Sequence, residues 1–280
     1  MPTFTSSQPI AVSLDLKVGD TRLIASQRAD TVVEVRPRDP ADEADVRAAD
    51  ATEVDFSGDR LVVRGSSQRA LLFRRPGAVD VTIELPQDSS VEGRAEVGTI
   101  RTAGRLGRCR IRAGVGDIEL EHAAELRVQA GAGAINVQRV DGPAEISTGT
   151  GTIRVGGIDG SAKVKNSNGD SWIGTIGGDL QIRSANGEIA VQAAGGNVAA
   201  TTANGALRVG GLTRGNVVLK TANGEIEVGV REGTAARLDV LTRFGRVDNR
   251  MEATDAPGVG DERVTVQART AYGDIVVHRG

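Results

Sequence analysis

One glycine recurs along the chain at a nearly constant spacing, and this feature constrains the fold more than any other. From Gly98 to Gly224, successive anchor glycines are separated by 17–19 residues. The full series is Gly98, Gly116, Gly133, Gly151, Gly169, Gly187, Gly205, Gly224, Gly245 and Gly273. Similarity at a fixed short period is typical of repeat architectures, in which each unit buries its apolar face against the next.

Apolar residues alternate with polar ones on both sides of each anchor. Before Gly187 come Leu180 and Ile182, and after it come Ile189 and Val191. The same four positions are apolar around Gly133, Gly151 and Gly224. A period of two predicts β-strands with one buried face. Each unit is therefore predicted to consist of a strand, a tight corner, a second strand and a loop.

Four anchors follow an asparagine directly. Asn-Gly is a turn dipeptide because glycine adopts positive φ without steric cost. Stacked units would place the four asparagines in one column, where they either form a ladder of side-chain amides or serve only as good corner residues; we prefer the second interpretation. The column comprises Asn168, Asn186, Asn204 and Asn223.

The regular period predicts an all-β fold, a single-chain β-solenoid (β-helix-like) with repeats of about eighteen residues. Its coils would stack about 4.8 Å apart through backbone hydrogen bonds. The alternative is a chain of hairpins in which each Asn-Gly forms a type I′ turn. The solenoid is favoured, because a meander of so many strands would have to curl or close on itself.

The two ends depart from the pattern. Residues 1–92 are predicted to be a diverged, atypical N-terminal β cap of the same domain, and residues 93–280 the glycine-anchored repeat region. The last unit, residues 271–277, is expected to cap the opposite end. Caps matter because terminal coils expose unpaired backbone groups.

Composition argues against several classes of function. The net charge is −3 and aromatic residues are 2% of the chain, so no nucleic-acid partner is expected. A single cysteine, Cys109, excludes a disulfide framework and a multi-cysteine zinc site. Acidic residues follow the anchors only intermittently, so no calcium, other metal or cofactor is expected. The sequence shows neither a basic region followed by an apolar stretch, as in a signal peptide, nor a long apolar run. The expected location is therefore the cytoplasm.

Outward positions next to the corners supply the first candidate partner-binding surface. Lys163, Lys165 and Arg183 fall on the strand before the corner, and Asp170 and Trp172 on the strand after it. Cations in a column favour an anionic partner, such as an unidentified protein or a polyanionic glycan. An exposed tryptophan is a typical contact residue at such surfaces.

A second candidate surface lies in the N-terminal part. Leu71, Leu72 and Phe73 form an apolar tip between Arg69 and the pair at 74–75. Such a tip with basic flanks is suited to an anionic membrane surface or to a partner groove. The alternative is a loop folded onto the end of the solenoid. The segment 69–76 is therefore a hypothesis for membrane contact.

Several stretches together resemble one known family. They are residues 1–4, 18–20, 30–37, 165–174, 221–224 and 242–245. Across nearly the whole chain the sequence is similar to a bacterial, chiefly actinobacterial, family of unknown function that contains β-strand repeats and carries the label of a candidate adhesin. The resemblance implies a β-solenoid-type domain without catalytic residues, in a group associated with the cell envelope and its stress systems.

These observations lead to one favoured function and two alternatives. The favoured hypothesis is a non-enzymatic interaction or scaffold protein, monomeric or homo-oligomeric, possessing no catalytic residues. The first alternative is a self-assembling structural protein, because stacked coils with poorly capped ends recruit further chains. The second is a carbohydrate-active β-helix enzyme, which would need clustered carboxylates and aromatic sugar platforms.

Overall fold

The computed structural model describes residues 2–65, 77–252 and 262–280, which fall into two compact units, residues 1–139 and 140–280. Over its described residues, the first unit contains one helix, α1. Its elements are β1 (Thr3–Thr5), β2 (Ala11–Val18), β3 (Thr21–Ser26), β4 (Asp30–Pro37), α1 (Glu43–Asp50), β5 (Glu53–Ser57), β6 (Arg60–Arg64), β7 (Val79–Pro86), β8 (Ser90–Val97), β9 (Ile100–Val115), β10 (Ile118–Ala132) and β11 (Ile135–Val140).

The second unit consists of β-strands over its described residues. They are β12 (Ala144–Thr150), β13 (Ile153–Ile158), β14 (Ala162–Asn168), β15 (Ser171–Ile176), β16 (Leu180–Asn186), β17 (Ile189–Ala194), β18 (Val198–Thr201), β19 (Leu207–Leu212), β20 (Gly215–Asn223), β21 (Ile226–Val230), β22 (Ala235–Phe244), β23 (Val247–Asn249), β24 (Arg263–Tyr272) and β25 (Ile275–Arg279). The proposed division of the domain at residue 92 stays a prediction.

Apart from three antiparallel pairs at the N-terminal end, β1 with β4, β4 with β7 and β5 with β6, the strands of each unit pair in parallel with the equivalent strand of a neighbouring coil. β14 pairs with β12 on one side and β16 on the other, and Lys165 lies opposite Arg183, eighteen residues later. β15 pairs in the same way with β13 and β17. The predicted all-β solenoid with repeats of about eighteen residues is thereby confirmed. The hairpin alternative is wrong, because the two strands flanking a corner pair with other coils.

The predicted alternation also gives the core. Leu180, Ile182, Ile189 and Val191 are at most 3% exposed, and the residues between them face outward or are half-buried. The interior is a narrow aliphatic strip between the two strands of each coil. Such a core suits a chain with few aromatic residues, because short aliphatic side chains fill a thin space without voids.

The anchor glycines occupy equivalent corners in which a side chain is excluded. Nine of the ten have φ between 127° and 154°, a region that favours glycine. A Cβ on Gly187 would overlap the carbonyl of Gly169, and one on Gly205 would overlap that of Gly187. Successive corners therefore approach each other backbone to backbone.

The N-terminal strands belong to the solenoid in an unexpected order. β2 lies between β6 and β8, and β3 lies between β7 and β9. β6 and β7 thus add a layer outside β2 and β3, although they come later in the chain. Antiparallel strands extend the stack beyond them, because β5 pairs with β6, β4 pairs with β7, and β1 pairs with β4. The predicted inward residues Val12, Leu14 and Leu23 are buried, as are Ile83 and Leu85.

The C-terminal end has the same arrangement, and here the expectation about capping is wrong. β24 lies between β20 and β22, and β25 lies between β21 and β23. The last unit is thus inserted as the penultimate layer, and β22 with β23 forms the outermost one. Gly273 accordingly stacks on Gly224, and Gly245 stacks on Gly273.

The described part of the chain has neither a membrane-spanning helix nor a cluster of metal-binding side chains. The helix there is too short and polar to cross a bilayer. Among the described residues, no group of three or more His, Cys, Asp and Glu side chains could hold a metal ion. Cys109 is fully buried, and burial raises the pKa of its thiol to about 12.

Candidate functional site

The predicted cations of the second unit lie on neighbouring strands and face outward. Lys165 on β14 is opposite Arg183 on β16, which is opposite Thr201 on β18, which is opposite Lys220 on β20. We call the three cations Lys165, Arg183 and Lys220 the cation row; Thr201 lies between the last two. Parallel neighbours lie about 4.8 Å apart, so the row crosses the strands at nearly right angles. The parallel register explains why sequence positions so far apart align.

The cations of this row make no ion pair with another described residue. Lys163 lies beside the row on β14 and is exposed and unpaired within the same part of the chain. Further along, Arg269 is opposite Lys220 but is held by Asp239 at 2.6 Å. The cations without an ion pair to a described residue are therefore Lys163, Lys165, Arg183 and Lys220, of which Lys163 lies opposite Glu145 on β12.

Asp170 has a structural partner at the corner between β14 and β15. Its carboxylate accepts a 2.8 Å hydrogen bond from the backbone N–H of Glu188, in the next coil. Asp179 accepts the backbone N–H of Asn197 in the same way at 2.9 Å. Side-chain oxygens at these corners thus satisfy amides that the turn leaves without a backbone partner.

Glu188 itself is engaged with an arginine. Arg208 on β19 lies between Glu188 and Glu227 and pairs with both carboxylates. The hydrogen bond to Glu188 raises the pKa of the Arg208 guanidinium above its ordinary value. The anionic column predicted beside the corner is therefore partly neutralised within the solenoid.

Trp172 stands on β15 and is 42% exposed. It lies opposite Arg154 on β13 and Ala190 on β17, and the edge of its ring lies against Gly174, two residues further along its own strand. Because alanine and glycine leave space beside it, the ring presents an accessible surface. A cation next to an exposed aromatic ring is a combination that binding surfaces use.

The structure thus brings together only part of the predicted site. Lys163, Lys165 and Arg183 share one set of paired strands, whereas Trp172 belongs to the other set, after the corner. The apolar tip formed by Leu71, Leu72 and Phe73 lies outside the described residues. Its contact with a membrane stays a prediction.

The asparagine column forms the ladder that we considered less favoured. Asn186, Asn204 and Asn223 each donate from Nδ2 to Oδ1 of the preceding asparagine at 2.8–2.9 Å. The next residue in the column is Tyr272, whose ring stacks on Phe244 at 4.9 Å between centroids. Tyr272 and Phe244 are each 56% exposed. The equal spacing of four Asn-Gly dipeptides was the signal for this column.

The chain is similar to solved structures from several bacteria. A candidate adhesin of Bacteroides fragilis and a candidate lipid-binding protein of Parabacteroides distasonis are each 11% identical, with TM-scores of 0.35. The match covers 99% of this chain in both cases, and 95% and 96% of the respective structures. A candidate cell-adhesion protein of Clostridium sporogenes is 8% identical with a TM-score of 0.19, over 100% of this chain and 98% of that one.

A comparison with curated proteins gives no match. The family comparison is decisive, because one model matches residues 10–275, nearly the whole chain. It confirms the family resemblance carried by residues 1–4, 18–20, 30–37, 165–174, 221–224 and 242–245. The chain belongs to the Toastrack DUF4097 family.

Proposed function

We propose that this chain is a non-enzymatic interaction module that binds an anionic macromolecular partner through the cation row and Lys163. The observation that supports it is the alignment of uncompensated cations on a rigid set of parallel strands. Charges fixed by a hydrogen-bonded sheet lose little conformational freedom on binding, which favours recognition. Location in the cytoplasm and association with the cell envelope stay predictions.

The acidic side chains of the same unit support a binding role over catalysis. A carbohydrate-active enzyme needs two carboxylates free to act on a glycosidic bond. Asp170 accepts a backbone amide and Glu188 pairs with Arg208. Both carboxylates beside Trp172 are thus engaged in holding coils together.

The proposal is tested with polyanionic probes. Binding of fluorescent poly-glutamate and of heparin should weaken about tenfold or more in the double variant Lys165→Ala, Arg183→Ala, because two adjacent charges of the row are lost. Trp172→Ala tests separately whether the ring after the corner belongs to the same surface. Affinity is measured by fluorescence anisotropy at two salt concentrations, since a charged contact weakens with salt.

A matched control removes the same charge elsewhere in this unit. Arg208 pairs with glutamates and Arg250 pairs with Asp248, so Arg208→Ala, Arg250→Ala removes two compensated cations. This variant should bind within about threefold of the wild type. Equal weakening in both double variants would mean that net charge alone attracts the probes, and the row would lose its role.

A second candidate, self-assembly, is favoured by the outermost strand of the same unit. β22 spans ten residues and is paired only with β24 among the described residues. Leu241 and Phe244 on this strand are 60% and 56% exposed, and Val247 on the following strand, β23, is 44% exposed. A long edge with exposed apolar residues recruits a second strand, here that of another copy.

Light scattering coupled to size-exclusion chromatography tests this candidate. The apparent mass should rise with concentration in the wild type and remain that of a monomer in Leu241→Lys, because charge on an edge opposes pairing. Val115→Lys is the control, since Val115 is 55% exposed but lies on a corner of the first unit. A wild-type monomer at every concentration rejects self-assembly.

A further inference from the structure

Three arginines alternate along the second half of β9 and face outward together. Arg108, Arg110 and Arg112 are exposed, whereas Cys109 and Ile111 between them are fully buried. Side chains two residues apart on a strand are separated by about 6.6 Å on the same face. We call these three residues the arginine comb.

The strands on both sides extend the positive charge. Arg112 lies opposite Arg94 on β8, and Arg110 lies opposite Arg127 on β10. The outward positions of β2, β6, β8 and these halves of β9 and β10 carry eight cations and four carboxylates in a chain of net charge −3. The cations are Lys17, Arg60, Arg64, Arg94, Arg108, Arg110, Arg112 and Arg127, and the carboxylates are Asp15, Glu92, Glu96 and Glu125.

Arg110, in the middle of the comb, lies opposite Glu92 on β8, and that carboxylate pairs with Arg94 at 3.5 Å. Arg108 pairs with Glu125 at 2.8 Å, and Arg112 donates from Nε to the side chain of Gln129 at 3.2 Å. Arg110 makes neither an ion pair nor a side-chain hydrogen bond with any described residue. Its five N–H donors are therefore directed at solvent, where an anionic group could accept them in pairs.

Two shallow depressions run beside the comb over β2 and β8. The first, of about 200 Å³, is lined by the small residues Ala11, Ser13 and Ser90 and by charged ones, which are Arg60, Arg108, Arg110 and Glu92. The second, of about 360 Å³, is lined by Leu16, Ala95, Ala113 and Gly114 and by charged residues, which are Arg94, Arg112, Asp15 and the paired Lys17 and Glu96. Because many lining residues are small, a bound peptide can approach the strands closely while the arginines contact its side chains.

The spacing of the comb identifies the ligand that fits. In an extended peptide, side chains of alternate residues lie on one side at about 6.6–6.8 Å, which is the period of the comb. Carboxylates match the guanidinium fork in bidentate pairs. No aromatic residue in these strands is available to stack on a nucleic-acid base.

We propose that β8, β9 and β10 bind an acidic peptide segment in an extended conformation, with carboxylates of alternate residues on the arginine comb. This site consists of first-unit residues and does not depend on the cation row. Arg110 would take one carboxylate directly, and Arg112 the next. Arg108 would exchange its exposed contact with Glu125 for the ligand, at little cost because exposed ion pairs are weak.

The test uses the full chain and a fluorescein-labelled peptide of alternating glutamate and threonine. The affinity of the protein for this peptide should fall about tenfold or more in Arg110→Ala, Arg112→Ala, because the variant loses the one arginine of the comb without a described side-chain partner and its neighbour. The control is Arg101→Ala, Arg105→Ala on the first half of the same strand, where both arginines already pair with carboxylates. It should change the affinity by less than about threefold.

Two further arms make the result specific. A peptide of the same composition with its glutamates contiguous should bind more weakly, because fewer carboxylates face the comb at its period. Arg110→Lys, Arg112→Lys should bind with intermediate affinity, since lysine keeps the charge but not the fork. Thermal unfolding checks that every variant is folded.

Four results would overturn the proposal. These are equal loss of affinity in the comb and control variants, equal binding of the two peptides, tighter binding of oligothymidylate than of the alternating peptide, and the absence of peptide binding at about 0.15 M salt. None of these outcomes depends on the second-unit variants, so the comb and the cation row fail or succeed separately.

Discussion

The side-chain amide of Asn186 donates a 2.8 Å hydrogen bond to the amide oxygen of Asn168, one coil earlier in the sequence. Asn186 in turn accepts from Asn204 at 2.9 Å. Each inner asparagine of the ladder is therefore both donor and acceptor, as in the amide ladders of stacked β-structures. The corner residue chosen for its turn geometry also holds neighbouring coils in register.

Removing one rung of this ladder should destabilise the second unit. Asn186→Ala loses two side-chain hydrogen bonds, and each is worth about 0.5–1.5 kcal/mol net. We expect the free energy of unfolding to fall by about 1–2 kcal/mol, measured by chemical denaturation. Gln181→Ala, an exposed change on the same strand, should stay within about 0.5 kcal/mol. Equal effects would show that the ladder adds nothing to stability.

The anchor glycines should tolerate no side chain. In Gly187→Ala, the new Cβ would overlap the carbonyl of Gly169, and φ of 127° would be strained. The free energy of unfolding should fall by more than about 3 kcal/mol. Gly233→Ala is the matched control, because Gly233 also has positive φ, 77°, but nothing lies within 4 Å of its Cβ. It should cost about 1–2 kcal/mol, from strain alone.

The repeat predicted the interior because the information is local. Whether Leu180 or Gln181 faces the core depends on strand alternation, which a short window of sequence contains. For the same reason Lys165 and Trp172 were expected to be exposed, and they are. To assign a residue to a face of the solenoid, it was enough to know whether its strand comes before or after the corner.

The order of layers at the two ends could not be predicted in this way. Gly224 stacks on Gly273 rather than on Gly245, which precedes Gly273 in the chain. The alternation of apolar and polar residues is the same whether β20 pairs with β22 or with β24. The pattern therefore does not determine which of the two strands lies next to β20. The wider gaps between the last anchors, 21 and 28 residues, were the visible sign of this insertion.

The role of Asp170 was missed for a related reason. Its carboxylate bonds to the backbone amide of Glu188, and backbone donors leave no trace in a sequence pattern. From the sequence alone, a charged residue after a corner could therefore either bind a ligand or form a hydrogen bond to the next coil. Only the geometry of the next coil separates the two.

Asn166 should be more important to stability than its small size suggests. It is 3% exposed, and its Nδ2 donates to the carbonyls of Gly151 at 3.0 Å and Gly169 at 2.8 Å. Asn166→Ala would leave a buried carbonyl without this donor, so the free energy of unfolding should fall by about 2–3 kcal/mol.

Threonine at this position provides the control for the asparagine. Thr221, at the equivalent position before Gly224, donates to the carbonyl of Gly205 at 3.1 Å. Asn166→Thr should therefore recover part of the stability lost in the alanine variant, as measured in the same denaturation experiment. Alanine and threonine variants of equal stability would contradict a role for the donor.

Cys109 should resist modification while the first unit is folded. Because burial raises the pKa of its thiol from 9.0 to about 12, the thiolate that attacks disulfide reagents is disfavoured in the folded state. At pH 8 we expect labelling by an aromatic disulfide to be about 100-fold slower than in denaturant, limited by opening of the structure. The same shift predicts that the thiol's contribution to folding is complete below pH 9 and is lost as the pH rises from about 9 towards 12, since only the unfolded state then releases the proton. Comparing the pH dependence of unfolding with that of Cys109→Ala isolates this contribution, and rapid labelling of the folded protein at pH 8 would contradict the buried placement.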